Sequence, residues 1–223
     1  MKVSLVIPTL EEAGCIETVL SQVPKGYVDE ILVVDAYSKD GTADIVRRLG
    51  YKVVMQEGRG FGDAFSLGVS HAKGDVIILM DGDGSHNPAD IPKLLAKINE
   101  GYAYVLASRY CKGSKSYDDT MVRHIGNKFF TLLICIFHNM KISDSLYLFT
   151  AIRKEVFDKI TIKSKGFEYC VEILVKVHKS GFKMEEIPSV ERKRYSGYSK
   201  VRSMKHGLKI LIEIFKSLSK NYK

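Results

Sequence analysis

Cysteine is scarce in this chain of 223 residues, and the four present (Cys15, Cys111, Cys135, Cys170) stand far apart. No pair has metal-ligand spacing, which argues against a structural zinc site or a disulfide scaffold and fits reduced thiols in a cytosol. Long hydrophobic runs are missing too. The longest, Phe129 to Phe137 (FFTLLICIF), falls short of the ~20 residues that a spanning helix needs. The opening MKVSLVIPT passes straight into a strand pattern with no small-residue cleavage site, so neither secretion nor membrane insertion is expected. Repeats, low-complexity tracts and a linker are also lacking, which argues against fibrous and disordered classes.

Acidic residues are nearly absent from one stretch. Residues 192–223 hold ten basic residues against one acid, Glu213. That segment carries +9, which leaves −1 for residues 1–191 of the formal +8. The cationic end could meet nucleic acid, anionic lipid or a phosphate-bearing substrate. Basic charge alone is weakly specific, and few aromatics are present there for base stacking, so no nucleic-acid partner is expected.

What remains is an ordinary globular balance, 45% hydrophobic and 27% charged. The length corresponds to one domain at roughly 150 residues per domain. Apolar runs at 3–8, 30–35, 52–56, 75–81 and 104–109 read as strands. Each is nearly continuous rather than alternating, as in a parallel sheet covered on both faces. Helical patterns lie near 12–22, 41–49, 61–73, 89–100, 123–140, 166–179 and 203–219, and 183–191 reads as a strand broken by Pro188. The alternation predicts an open α/β sheet with ligands beyond the carboxyl ends of its strands. That edge is polar: Pro8-Thr9 then Glu11-Glu12, Asp35, Asp81-Gly82-Asp83, and Ser108-Arg109.

The strongest local signal is ILMDGDGSHNP (78–88). Two carboxylates at i and i+2 after a buried strand repel unless a hard divalent cation lies between them. Mg²⁺ or Mn²⁺ typically takes one or two carboxylates plus substrate phosphate oxygens. Such a pair is otherwise a solvated acidic turn, but the other polar strand ends favour a site. His86 reads as a turn residue rather than a ligand.

The series VIPTLEE (6–12), VVDAYSKDGT (33–42), GRGFGDAFSLG (58–68), MDGDGSHNP (80–88), ASRY (107–110) and RYSGYSK (194–200) resembles the inverting glycosyltransferases of family 2. The likeness is greatest to the catalytic core of dolichyl-phosphate (polyprenyl-phosphate) mannosyl- and glucosyltransferases. It implies a GT-A fold, a Rossmann-like mostly parallel sheet flanked by helices, over residues 1–200. A basic amphipathic helix would occupy 201–223. By matched position, Pro8, Glu12 and Asp35 would line the base and ribose pocket. Asp81, Gly82 and Asp83, with Ser85 beside them, would hold the metal and diphosphate. Arg109 would face the donor sugar or diphosphate, Arg194 and Lys200 would close over the phosphates from a loop, and Arg123 with Asn127 would face the acceptor phosphate. Asp83, Arg109, Arg194 and Lys200 are the expected catalytic set.

The sequence departs from the family at Leu10, Glu11, Ala36-Tyr37 and DSLYLF (144–149). The first departures leave GDP against UDP open, and the last leaves mannose, glucose and N-acetylglucosamine open. The implied activity is transfer of one sugar from a nucleoside-diphosphate sugar to dolichyl or polyprenyl phosphate, feeding protein or lipid glycosylation. A phosphate monoester, with a second pKa of about 6, is largely ionised and needs no base. The expected place is the cytoplasmic face of a membrane, reached peripherally or through a membrane-anchored partner.

The segment 205–220 supports the peripheral mode. Leu208, Leu211, Ile212, Phe215 and Leu218 form a stripe, widened by Ile210 and Ile214 and bordered by Lys205, Lys209, Lys216 and Lys220. Each basic residue near an anionic surface contributes ~1 kcal/mol. Three rival readings are a family 2 enzyme with a hydroxyl acceptor, a phosphatase of the haloacid dehalogenase type and a non-catalytic membrane-binding module. The phosphatase reading would put the acidic motif on the first strand rather than the fourth. The binding module leaves the polar strand edge unexplained.

Overall fold

The continuous apolar runs become strands because helices cover both faces of the sheet they form. The computed structural model describes residues 1–196, 203–219 and 222. Strand β1 (Val3–Thr9) is followed by α1 (Ile16–Ser21), β2 (Glu30–Asp35), α2 (Thr42–Arg48), β3 (Lys52–Met55), α3 (Phe61–His71) and β4 (Val76–Leu79). A short 3-10 turn (Pro88–Asp90), capped by the Asn87 side chain, leads into α4 (Ile91–Asn99) and β5 (Tyr104–Ser108). The second half adds β6 (Lys115–Ser116), α5 (Met121–His138), β7 (Thr150–Arg153), α6 (Lys154–Phe157) and α7 (Tyr169–Lys179). It ends with β8 (Met184–Pro188), β9 (Val190–Glu191) and α8 (Ser203–Lys216).

Seven strands form one sheet in the order β3-β2-β1-β4-β7-β5-β8, and β6 pairs with β9 beside it. All seven run parallel except β7, which is antiparallel to both of its neighbours, β4 and β5. This is the expected mostly parallel, helix-flanked GT-A architecture. On one face Leu5, Ile7, Val33, Ile78 and Val105 pack with Ile16, Val46, Leu94 and Ile98. On the other, Val6, Leu32, Val34, Ile77 and Leu106 meet Phe65, Ile134, Ile173, Ile210 and Ile214. Each such side chain contributes about 1.5–3 kcal/mol on burial. At Gly68 a Cβ would lie 2.2 Å from Val6 Cγ1, so α3 approaches β1 more closely than a larger residue permits.

The structure also departs from the sequence reading in places. Strand β7 is not among the runs that the sequence marks as strands. The helix expected over 12–22 begins only at Ile16, because Glu11 takes a positive φ of 57° and the amides of Cys15 and Ile16 both bond to the Glu12 carbonyl. Strand β4 ends at Leu79, opposite Val6, and the chain then turns. The run 183–191 splits at Pro188, and β9 leaves the main sheet to pair with β6. Helix α8 buries Ile210 and Ile214 in the same core as α7, while the boundary expected at 200/201 lies outside the described residues.

Candidate active site

The carboxyl ends of β1, β4 and β5 open into a cleft of about 610 Å³, closed on its far side by α5 and α8. Asp81 starts the turn after β4. Its amide donates to His86 Nδ1 at 3.1 Å, which leaves the ring proton on Nε2, 3.7 Å from Asp81 Oδ2. His86 is buried against Tyr147 and Phe149, and burial depresses its pKa to about 3, so the ring is neutral. It braces the turn through the Asp81 amide.

Asp81 Oδ1 is buried without a hydrogen-bond partner. Burial, then the charges of Asp83 and Glu12, push the Asp81 pKa well above the usual carboxylate range. Asp83 Oδ1 accepts from the Ser85 amide at 2.9 Å, and Oδ2 faces Arg194 Nη1 at 3.2 Å. An orphaned carboxylate oxygen between like charges is what a divalent ion would relieve, so the pair fits Mg²⁺ or Mn²⁺. Among the described residues no cluster of three or more His, Cys, Asp or Glu is placed to hold an ion. The remaining ligands would be diphosphate oxygens and water.

Pro8, Glu12, Gly82 and Ser85 line the same cleft. Asp35 is set behind its wall, fully buried, and accepts from Thr9 Oγ1, the Ser38 amide and Ser38 Oγ at 2.7–2.9 Å. It braces the Ala36–Ser38 turn, and Ala36 rather than Asp35 reaches the lining. Tyr37 in that turn has a positive φ of 59°. The left-handed region costs a non-glycine residue roughly 1–2 kcal/mol.

Arg109 lines the cleft with its donors largely committed. Nε and Nη2 bond the two Asp144 oxygens at 2.7 and 3.0 Å, Nη1 lies 3.5 Å from Glu191, and the guanidinium packs over the rings of Tyr110 and Tyr147. Burial opposes its charge, but Asp144 and Glu191 outweigh that and hold its pKa well above the ordinary value. Asp144 belongs to DSLYLF, which the sequence marked only as a departure.

On α5, capped by Thr120, Arg123 and Asn127 face the cleft one turn apart. Asn127 donates to the Tyr110 hydroxyl at 3.0 Å, and that hydroxyl donates to Asp119. Arg194 binds Asp118 as well as Asp83. Its strand-end loop lies over the acidic turn, with Arg192 N bonded to the Ser85 carbonyl at 2.8 Å and Tyr195 N to the Asp83 carbonyl at 3.1 Å. The Tyr195 ring covers Gly84, whose φ of 85° suits glycine and where a Cβ would lie 2.3 Å from that ring. Lys200 lies outside the described residues. Sequence reasoning missed Asp118, Asp144, Glu191 and Tyr195, because their roles come from contacts across 35 to 112 positions of chain.

The sequence profile of glycosyl transferase family 2 matches residues 4–161. Glycosyltransferase AglJ of Haloferax volcanii is 28% identical over 98% of this chain and 73% of its own length. The dolichol-phosphate mannosyltransferase of Pyrococcus furiosus is 33% identical over 91% of this chain, which spans only 60% of that protein. Among solved structures, glucosyl-3-phosphoglycerate synthase of Mycobacterium tuberculosis superposes with a TM-score of 0.81 at 19% identity, covering 97% of this chain and 80% of the other. That structure holds Mn²⁺, UDP and glucosyl-3-phosphoglycerate. At such identity the likeness establishes the fold. With the profile spanning most of the chain, the protein belongs to glycosyltransferase family 2, the nucleotide-sugar glycosyltransferases whose fold it carries.

Proposed function

We propose that this protein transfers one sugar, with inversion, from a nucleoside-diphosphate sugar to dolichyl or another polyprenyl phosphate. The observation that carries the reading is the two-ended cleft. One part of its lining holds Asp81, Asp83 and Arg194, and another is apolar, built by Val122, Phe130, Leu146, Phe167 and Ile210. That wall continues into an exposed stripe on α5, Val122, Ile125, Phe129, Leu132 and Ile136, at alternating three- and four-residue steps. Leu208, Ile212 and Phe215 of α8 are exposed as well, and the Phe137 and Phe215 rings lie 6.0 Å apart between the two helices. Apolar patches of this kind mark contact surfaces.

Asp81 and Asp83 would hold Mg²⁺ or Mn²⁺, which when bound supplies neutralising charge to the departing diphosphate. Arg194 adds a second cation beside Asp83, and Lys200 is proposed to join it. Pro8, Glu12, Gly82 and Ser85 would shape the nucleotide pocket, with Asp35 supporting it from behind. Arg109 would hold the sugar side of the wall in place through Asp144. Arg123 and Asn127 would take the acceptor phosphate, whose ionised oxygen attacks without a protein base. Of the carboxylates near that end, Asp118 is bound to Arg194, Glu191 accepts from Ser116 and neighbours Arg109, and Asp119 accepts from Tyr110 through Oδ2 while its Oδ1 is buried without a partner.

Among the described residues no helix is long and apolar enough to cross a membrane. The lipid would be met by laying the α5 and α8 stripes on an anionic bilayer on its cytoplasmic side, with exposed Lys128, Lys205 and Lys209 beside them. A membrane-anchored partner covering the same stripes is the other arrangement. The donor base and sugar are left to experiment. Purified protein with Mn²⁺ or Mg²⁺ and GDP-mannose, UDP-glucose or UDP-N-acetylglucosamine should glycosylate a short polyprenyl phosphate. Sugar appearing only on hydroxyl acceptors such as phosphoglycerate would overturn the acceptor assignment.

A further inference from the structure

Arg194 does not hang freely over the acidic turn. Asp118, in the loop between β6 and α5, grips one edge of its guanidinium: Nη2 lies 2.7 Å from Oδ2 and Nε 3.4 Å from Oδ1. That two-point hold fixes the plane of the group. The nitrogen left over, Nη1, is aimed at Asp83 Oδ2, 3.2 Å away. Asp118 Oδ2 also lies 3.9 Å from Arg123 Nη1. All four side chains are partly buried, between 15% and 27% exposed, so their charges are only partly screened. One carboxylate thus stands between the arginine at the donor end and the arginine at the acceptor end.

We infer that Asp118 is a positioning residue for the donor diphosphate: by clamping Arg194 along its Nε–Nη2 edge, it aims Nη1 at Asp83. Two consequences follow from that geometry. Arg194 Nη1 and a divalent ion compete for the Asp83 carboxylate, so the arginine weakens binding of the bare ion. The same clamped arginine strengthens binding of a nucleoside diphosphate, because its free edge is already turned toward the phosphates. The inference rests on the reading that Asp81 and Asp83 hold the ion.

The test uses Mn²⁺ alone, followed by electron paramagnetic resonance of the free ion, and then UDP and GDP at saturating Mn²⁺ by calorimetry. Arg194→Gln should bind bare Mn²⁺ several-fold more tightly and the preferred diphosphate at least tenfold more weakly. Asp118→Asn should weaken the diphosphate by about tenfold, the range of one charge-assisted hydrogen bond, and should tighten bare Mn²⁺ by less than Arg194→Gln does, because the unclamped arginine no longer holds Asp83 firmly. In the double variant Asp118→Asn should cost nothing further, since it acts only through Arg194. A merely structural role would give additive losses and a lowered melting temperature in both backgrounds. Additive losses, or bare Mn²⁺ binding unchanged in Arg194→Gln, would overturn the inference while leaving the metal site standing. Failure of the wild type to bind Mn²⁺ at all would remove the metal-site reading and this inference with it.

Discussion

Helices α4 and α5 carry apolar residues at the same spacing and use them in opposite ways. In α4, Ile91, Leu94, Leu95 and Ile98 all face the sheet and are buried. In α5, Thr131 and Ile134 are the fully buried residues, while Val122, Ile125, Phe129, Leu132 and Ile136 stay exposed. Val122 and Thr131, like Ile125 and Ile134, are nine positions apart, half a turn round the helix at 3.6 residues per turn. Periodicity therefore specifies a helix and its stripes, but not which stripe meets the core. Where a stripe of five large residues is left outside, its purpose lies outside the fold.

That contrast can be tested, starting from the polar end of the cleft. Asp83→Asn should lower the transfer rate by on the order of 10³-fold, the scale of losing electrostatic stabilisation of a leaving group, with the melting temperature little changed. A comparable fall in stability would make Asp83 a folding residue instead. Asp144→Ala should cost about 3–5 kcal/mol in urea unfolding, because it strands a buried guanidinium. A loss below about 1 kcal/mol would show that Arg109 finds water or Glu191 instead.

The outward stripe should behave in the opposite sense. Replacing Ile125, Phe129 and Leu132 together with Gln should change stability by no more than about 0.5 kcal/mol at each site. Flotation with anionic vesicles should nevertheless fall more than tenfold. Unfolding of the triple variant would place these side chains in a core after all.

Between the two regimes lies the docking of α8. His138 Nε2 lies 2.7 Å from Ser217 Oγ, and burial, then the charges of Lys179 and His178, lower the His138 pKa below its ordinary 6.5. A depressed histidine contributes stability above its unfolded value that is lost as pH falls through the folded one. Hydrogen exchange in α8 should therefore quicken as pH drops below about 6.5, after correction for the intrinsic rate. His138→Gln should flatten that dependence, and an unaltered profile would assign it elsewhere. The smallest effect is expected at Tyr37, 64% exposed with a φ of 59°. Tyr37→Gly should stabilise the protein by up to about 1 kcal/mol, measured by thermal unfolding, and a loss of stability would show that the ring contributes packing.

Much of the first half of the chain could be read in the sequence, because strands buried on both faces declare themselves as unbroken apolar runs. Asp81, Asp83 and Arg194 were legible for a different reason: their spacing matches a family pattern, and the fold brings them within 3.2 Å at the Asp83–Arg194 contact. Strand β7 escaped notice since TAIR is four residues long and mixes polar with apolar. Asp144 escaped because a lone acid carries no trace of a partner 35 positions away. Asp35 was legible as a strand-end acid, but its neighbours Thr9 and Ser38, which absorb its charge, are too ordinary to signal that use.

The backward-running β7 has a consequence for how the molecule is made. Among the described residues strand β5 pairs in the sheet only with β7 and β8, so the position between β4 and β5 stays vacant until Thr150–Arg153 has left the ribosome. During synthesis β4 would wait with an open, apolar border, a condition that invites wrong pairing. Arg109, at the end of β5, cannot meet Asp144 and Glu191 in their final positions before then. The acidic turn after β4 and the Arg109–Asp144–Glu191 cluster would thus be assembled at different times, with the cluster completed last.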